Sequence, residues 1–161
     1  MHRFIAILAV ITGFLFASPR AEAIERQQAT NWCWASAIQD ILTPVGIRTS
    51  QAEVVQRLTG WLQNRPASTH EVAGLVRSYG VRANVVSRPG NVYELVGTLQ
   101  SGYKIVALAY PSGGNIGHFI VLEGTDGSGV WVSDPATGMT QYLPIASLYT
   151  HWRWSQSIVV G

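Results

Sequence analysis

Apolar positions fall at helical spacing in the first half of the chain and at strand spacing in the second. Trp34, Ala37, Ile38, Ile41 and Leu42 recur at i, i+3, i+4, i+7 and i+8, one face of a helix. Asn31 is placed to cap that helix and Pro44 to stop it. Ser50 with Glu53 forms a capping box ahead of a second stripe of Val54, Val55, Leu58, Trp61 and Leu62. Ser68 with Glu71 repeats the signal before Val72, Val76 and Tyr79, and Gly80 suits the residue just past the helix end. Asn91 with Glu94 opens a fourth, short helix that carries Val92, Leu95, Val96 and Leu99 and closes at Gly102.

Beyond Gly102 the pattern changes. Ile105–Tyr110 is a continuous apolar run, the mark of a buried strand. Residues 111–117 are rich in turn formers. Residues 119–123 and 130–133 read as strands of a hairpin joined by Gly124–Gly129. Pro144 suits the start of a short helix, and residues 152–160 a last strand. Helices first and an antiparallel sheet afterwards predict an α+β fold.

The first 23 residues stand apart. Arg3 precedes an apolar stretch from Phe4 to Ala17, Pro19 follows, and Ala21-Glu22-Ala23 has the small-x-small form of a cleavage site. This is the pattern of a secretory signal peptide, with an apolar core too short to span a membrane as a helix. Cleavage after Ala23 leaves residues 24–161 as one domain, exported to the periplasm or beyond, with no stable membrane insertion. The whole chain has 161 residues and a formal net charge of +2. Lys104 is its one lysine, and no basic run exists. A nucleic-acid partner therefore has no electrostatic footprint. A single cysteine, Cys33, excludes an intramolecular disulfide and a cysteine-based zinc cage. In an exported chain, an unpaired cysteine is a candidate reactive thiol.

Candidate chemistry gathers on four residues. Cys33 falls at the start of the first predicted helix, where the helix dipole favours an anion and a thiol is most easily ionised. His118 follows a glycine-rich loop and opens an apolar strand. His70 reads as a surface residue and His151 as a packing one. Asp134 is the candidate to orient His118. With the hairpin turn centred on Asp126, the two lie directly opposite each other. A slip of one residue would put them on opposite faces, and Asp134-Pro135 alone also suits a turn. Gln27, six residues before Cys33, is a candidate oxyanion donor alongside the Cys33 backbone N–H, with Gln28 its nearest competitor. Trp34 reads as core, and Trp32 as a residue lining the cleft.

Residues 26–36 (RQQATNWCWAS) resemble the active-site segment of papain-like cysteine peptidases. The nearest likenesses are compact bacterial papain-like effector peptidases and the double-glycine leader peptidases of bacteriocin exporters. Residues 117–124 (GHFIVLEG) and 130–135 (VWVSDP) resemble their histidine strand and Asp-Pro strand. The resemblance runs from about Arg26 to Gly138 and implies a papain-like fold. The helical half, with the nucleophile at a helix N-terminus, would pack on the C-terminal antiparallel sheet. It further implies Cys33 as nucleophile, His118 as general base and then acid, Asp134 as orienting carboxylate and Gln27 in the oxyanion hole. No cofactor or metal is implied. The expected partner is a peptide or protein substrate; the sequence gives no sign of an inhibitor or immunity protein, although an exported hydrolase without a propeptide could need one. Unlike the plant enzymes, this chain has aspartate rather than asparagine as the third residue and no disulfide. Two other readings share the residues: a non-catalytic peptide-binding module, and a deamidase, transamidase or cell-wall amidase.

Overall fold

The structure, a computed structural model, describes residues 23–111 and 113–161. The segment read from the sequence as a signal peptide, residues 1–23, lies outside the described residues apart from Ala23. Four helices precede most of the sheet: α1 (Cys33–Leu42), α2 (Gln51–Thr59), α3 (Thr69–Ser78) and α4 (Val92–Gln100). A 3-10 turn at Thr43–Val45, with Pro44 in its first turn, closes α1. Ser50 and Ser68 form full capping boxes with Glu53 and Glu71, and the Asn91 side chain accepts from the Glu94 N–H. The Glu71 carboxyl is held down to about 2 by its bonds to Arg65 and to the Ser68 backbone.

The strands are β1 (Ala83–Ser87), β2 (Lys104–Pro111), β3 (His118–Thr125), β4 (Gly129–Asp134), β5 (Met139–Pro144) and β6 (Trp152–Val160), with α5 (Ile145–His151) between the last two. They form one antiparallel sheet in the order β1-β6-β2-β3-β4-β5. Both faces of its centre are buried. Val106, Phe119, Val121 and Ile158 join α1, α2 and α3 in one core. Ile105, Ala107, Ile120, Leu122 and Val132 join α4 and α5 in the other. A strand buried on both faces has no polar side to show, which is why β2 and β3 read as unbroken apolar runs. Among the described residues no helix is long and apolar enough to cross a membrane.

Two expectations are corrected, and two strands are added. The α2 stripe stops short of Trp61 and Leu62. Gly60 takes a left-handed conformation (φ 80°) that ends the helix and turns Trp61 outward, 65% exposed. The edge strands β1 and β5 escaped the sequence reading. Both lie at a sheet edge and expose most of their residues, so they show neither an apolar run nor clean alternation. The hairpin register also differs. Thr125 faces Val130 and Gly124 faces Trp131, yet Leu122 faces Val132 and Val121 faces Ser133. Glu123 is therefore an extra residue on β3, a β-bulge. Its carboxylate pairs with Lys104 across on β2, and that ammonium lies 3.9 Å from Asp40 on α1.

Candidate active site

The bulge decides which side chains meet. Continued from the turn without it, the ladder would set Asp134 level with Val121, on the face away from His118. With it, Asp134 falls level with Ile120, on the His118 face and two residues along. Such diagonal neighbours are within reach of long side chains. Because β3 and β4 are antiparallel, the first residue of one and the last of the other stand at the same end of the sheet. His118 Nε2 and Asp134 Oδ1 are 2.6 Å apart. The expected contact is present, reached diagonally rather than directly across. Asp134 Oδ1 also accepts from the Ala136 N–H at 2.8 Å, so the carboxylate is fixed as well as paired.

The other group that bears on the His118 ring is Cys33, which lines the same cleft and whose thiol raises the ring's pKa. With Nε2 facing Asp134, Nδ1 is the nitrogen left for the thiol. Burial opposes charge on the ring, but the hydrogen bonds and negative charges of Asp134 and Cys33 overcome it, raising the His118 pKa from 6.5 to about 9. Burial likewise pushes Asp134 up, and the His118 bond, the Ala136 N–H and the imidazolium charge more than reverse it, leaving Asp134 below its ordinary value. Trp152 stacks on the ring (centroids 6.2 Å, planes 23° apart) and helps to exclude water.

Cys33 begins α1, and the way that helix starts matters. Trp32, not Asn31, occupies the N-cap position, and no side chain caps it. Asn31 is engaged elsewhere: its N–H and its amide nitrogen both bond Asn64. Of the four helices α1 to α4, only α1 lacks a side-chain cap. The leading N–H groups of a helix have no intrahelical acceptor. Here the Ala35 and Ser36 N–H groups both turn to the Trp32 carbonyl at 3.0 Å, so the uncapped start leaves the Cys33 and Trp34 N–H groups for an anion, with the helix dipole aligned to favour it. Trp32 and Trp34 flank the cysteine, and their indole N–H groups donate to the carbonyls of Gln63 and Arg65 at 2.7 and 3.0 Å. These bonds draw residues 63–65 against α1, which brings Pro66 and Ala67 to one side of the cleft.

That cleft measures about 470 Å³. Cys33 and His118 share it with Trp34, Pro66 and Ala67, and with Leu108, Tyr110 and Ile116. Trp34 is core and cleft wall at once. Trp32 is buried beside the Gln63 carbonyl and does not line the cleft. A Cβ at Gly117 would come within 2.9 Å of the Leu108 side chain and 3.3 Å of the Tyr110 ring, so a larger residue there would have to displace side chains that line the cleft.

Gln27 and Gln28 are now distinguished. The Gln28 side chain is at the surface and bonds Glu25 at 2.5 Å. Gln27 is half-buried, its N–H bonded to the Pro135 carbonyl at 2.8 Å. Its amide nitrogen donates to the Ala29 and Thr30 carbonyls just ahead of Cys33, at 3.0 and 2.7 Å, and its amide oxygen is buried without a partner. His70 is exposed, as its sequence context suggests. Among the described residues, no group of three or more His, Cys, Asp or Glu side chains is placed to hold a metal ion. Sequence reasoning missed the Trp152 stack, because a tryptophan in an aromatic stretch reads equally well as packing.

The model of the Peptidase C39-like family matches residues 22–158. The chain belongs to that family. Solved C39 peptidase domains, which are papain-like cysteine peptidases, share this fold. The peptidase domain of Streptococcus ComA, a bifunctional ABC transporter of a quorum-sensing pathway, has a TM-score of 0.66 at 12% identity, covering 87% of this chain and 98% of that one. A C39-like peptidase from Bacillus anthracis has a TM-score of 0.65 at 14% identity, covering 88% and 96%. A double-glycine-motif protease from an AMS/PCAT transporter, solved with its leader peptide, has a TM-score of 0.64 at 18% identity, covering 88% and 94%. None of the curated proteins matches this sequence.

Proposed function

We propose that this chain is an exported cysteine peptidase that hydrolyses peptide bonds. The observation that carries the reading is the His118 ring, held between Asp134 and a cysteine at an uncapped helix N-terminus. In this mechanism the proton of the Cys33–His118 pair rests on the imidazole, and the thiolate attacks the substrate carbonyl. The Cys33 N–H receives the developing oxyanion, and Gln27 supplies a second donor by turning one amide hydrogen away from the Thr30 carbonyl. The imidazolium then protonates the leaving amine as the C–N bond breaks. Water, deprotonated by His118, attacks the thioester carbonyl, the sulfur leaves as thiolate with the acid released, and the thiolate–imidazolium pair is restored. Asp134 fixes the ring and stabilises its charged form throughout.

The leader peptide bound to the double-glycine-motif protease supports a peptide substrate, and the signal-peptide pattern of residues 1–23 supports export. Mass spectrometry of a peptide mixture incubated with residues 24–161 tests the reaction class. The expected products are fragment pairs whose masses sum to the parent plus one water. Intact chains with an amide converted to an acid would instead mean deamidation. Peptide retained unchanged by both the parent and Cys33→Ala would mean a binding module.

A further inference from the structure

Residues 25–28 form an extended strap that ties the start of α1 to the turn after β4. One edge of the strap faces that turn, through the Gln27 N–H to Pro135 bond and an Arg26 Nε to Ala136 carbonyl bond of 3.1 Å. The other edge faces Gln51, the first residue of α2. Gln51 is completely buried, a costly position for a side-chain amide unless both of its ends are satisfied. Both are: its oxygen accepts from the Gln28 N–H at 2.9 Å, and its nitrogen donates to the Arg26 carbonyl at 3.0 Å. The amide thus imitates a neighbouring β-strand and grips the backbone on either side of Gln27. With Pro135 holding the opposite edge, the strap is fixed on both sides at one residue, the one whose side chain reaches the carbonyls preceding Cys33.

We propose that Gln51 is a positioning residue that holds the Gln27 amide in place as the second oxyanion donor. This rests on the oxyanion role of Gln27 in the mechanism above. Two small reagents separate the effects without knowledge of the peptide substrate. p-Nitrophenyl acetate acylates Cys33: sulfur bonds to the carbonyl carbon through a tetrahedral oxyanion, and p-nitrophenolate leaves. Iodoacetamide alkylates the same sulfur by displacing iodide, with no oxyanion. The ratio of the two rates therefore reports the hole and cancels the state of the thiol.

Gln27→Ala and Gln51→Leu are each expected to lower acylation by about 10-fold or more, leaving alkylation unchanged, and the double variant is expected to fall no further. A folded Gln51→Leu with the parental ratio, beside a Gln27→Ala that loses it, would overturn the positioning role and leave the mechanism standing. An unchanged ratio in Gln27→Ala would overturn both. Alkylation falling in step with acylation would mean that Gln51 supports Cys33 itself. Gln51→Glu keeps the test open if the leucine variant does not fold. Its buried carboxyl, once protonated, offers the same donor and acceptor as the amide. The ratio is then expected to recover as pH falls, and a flat, low ratio would overturn the proposal.

Discussion

His118→Ala is expected to abolish peptide hydrolysis as completely as Cys33→Ala does, and the double variant to be no worse than either. In the proposed mechanism the two groups act as one unit: the ring carries the proton that leaves a thiolate, then delivers it to the amine. Removal of either member of such a unit lowers kcat by on the order of 10⁶-fold, with little additivity. The check is kcat/KM for a cleaved peptide across the two single variants and the double. Independent, additive losses, or a His118→Ala that keeps more than about one-hundredth of parental activity, would mean that the ring is not the proton carrier.

Asp134→Asn is the second large effect. In the established serine triad, the corresponding change costs about 10⁴-fold in kcat, and a loss of about 10²-fold or more is expected here. Its more specific mark is on pH dependence. The parental imidazolium persists to about pH 9 because Asp134 and Cys33 overcome the burial of the ring. In the proposed mechanism hydrolysis needs that acid to protonate the leaving amine, so activity is expected to fall on the alkaline side with an apparent pKa of about 9. Without the Asp134 charge the alkaline limb moves to lower pH.

Stability follows the same sign. The folded-state pKa of His118 lies above its ordinary 6.5, so the stabilisation is complete below pH 6.5 and disappears as pH rises through about 9. Urea unfolding at pH 6 and pH 10 should show a smaller difference in Asp134→Asn than in the parent. An NMR titration of the His118 ring unchanged by the substitution would contradict this role of Asp134.

The residues of the site were legible one by one; the way they meet was not. Cys33 stood out because it is the one thiol, and His118 because a polar residue opens an apolar strand. The capping boxes at Ser50 and Ser68 located α2 and α3 because they are local chemistry, complete within four residues. The start of α1 was misread for the opposite reason. Asn31 has the right side chain for a cap, but Asn64, distant in sequence, takes it. Centring the hairpin on Asp126 set His118 directly opposite Asp134, a register the sheet does not form: Asp134 falls level with Ile120. The turn follows one register and the far end another, and the bulge at Glu123 reconciles them. A bulge leaves no mark in apolar periodicity, and the Lys104 that pairs with Glu123 comes from a different strand. Gln51 was equally hidden, since a glutamine in the first turn of a helix ordinarily faces water. Only the fold shows that its amide grips the strap.

The central claim is a working pair of Cys33 and His118. Its most direct test is the rate of Cys33 alkylation by iodoacetamide as a function of pH, in the parent and in His118→Ala. An ordinary thiol reacts with a midpoint near pH 8.5, whereas paired catalytic cysteines keep reacting at far lower pH. Fast labelling that persists well below pH 7 in the parent and is lost in His118→Ala is the predicted result. An ordinary thiol profile, the same in both proteins, would contradict it.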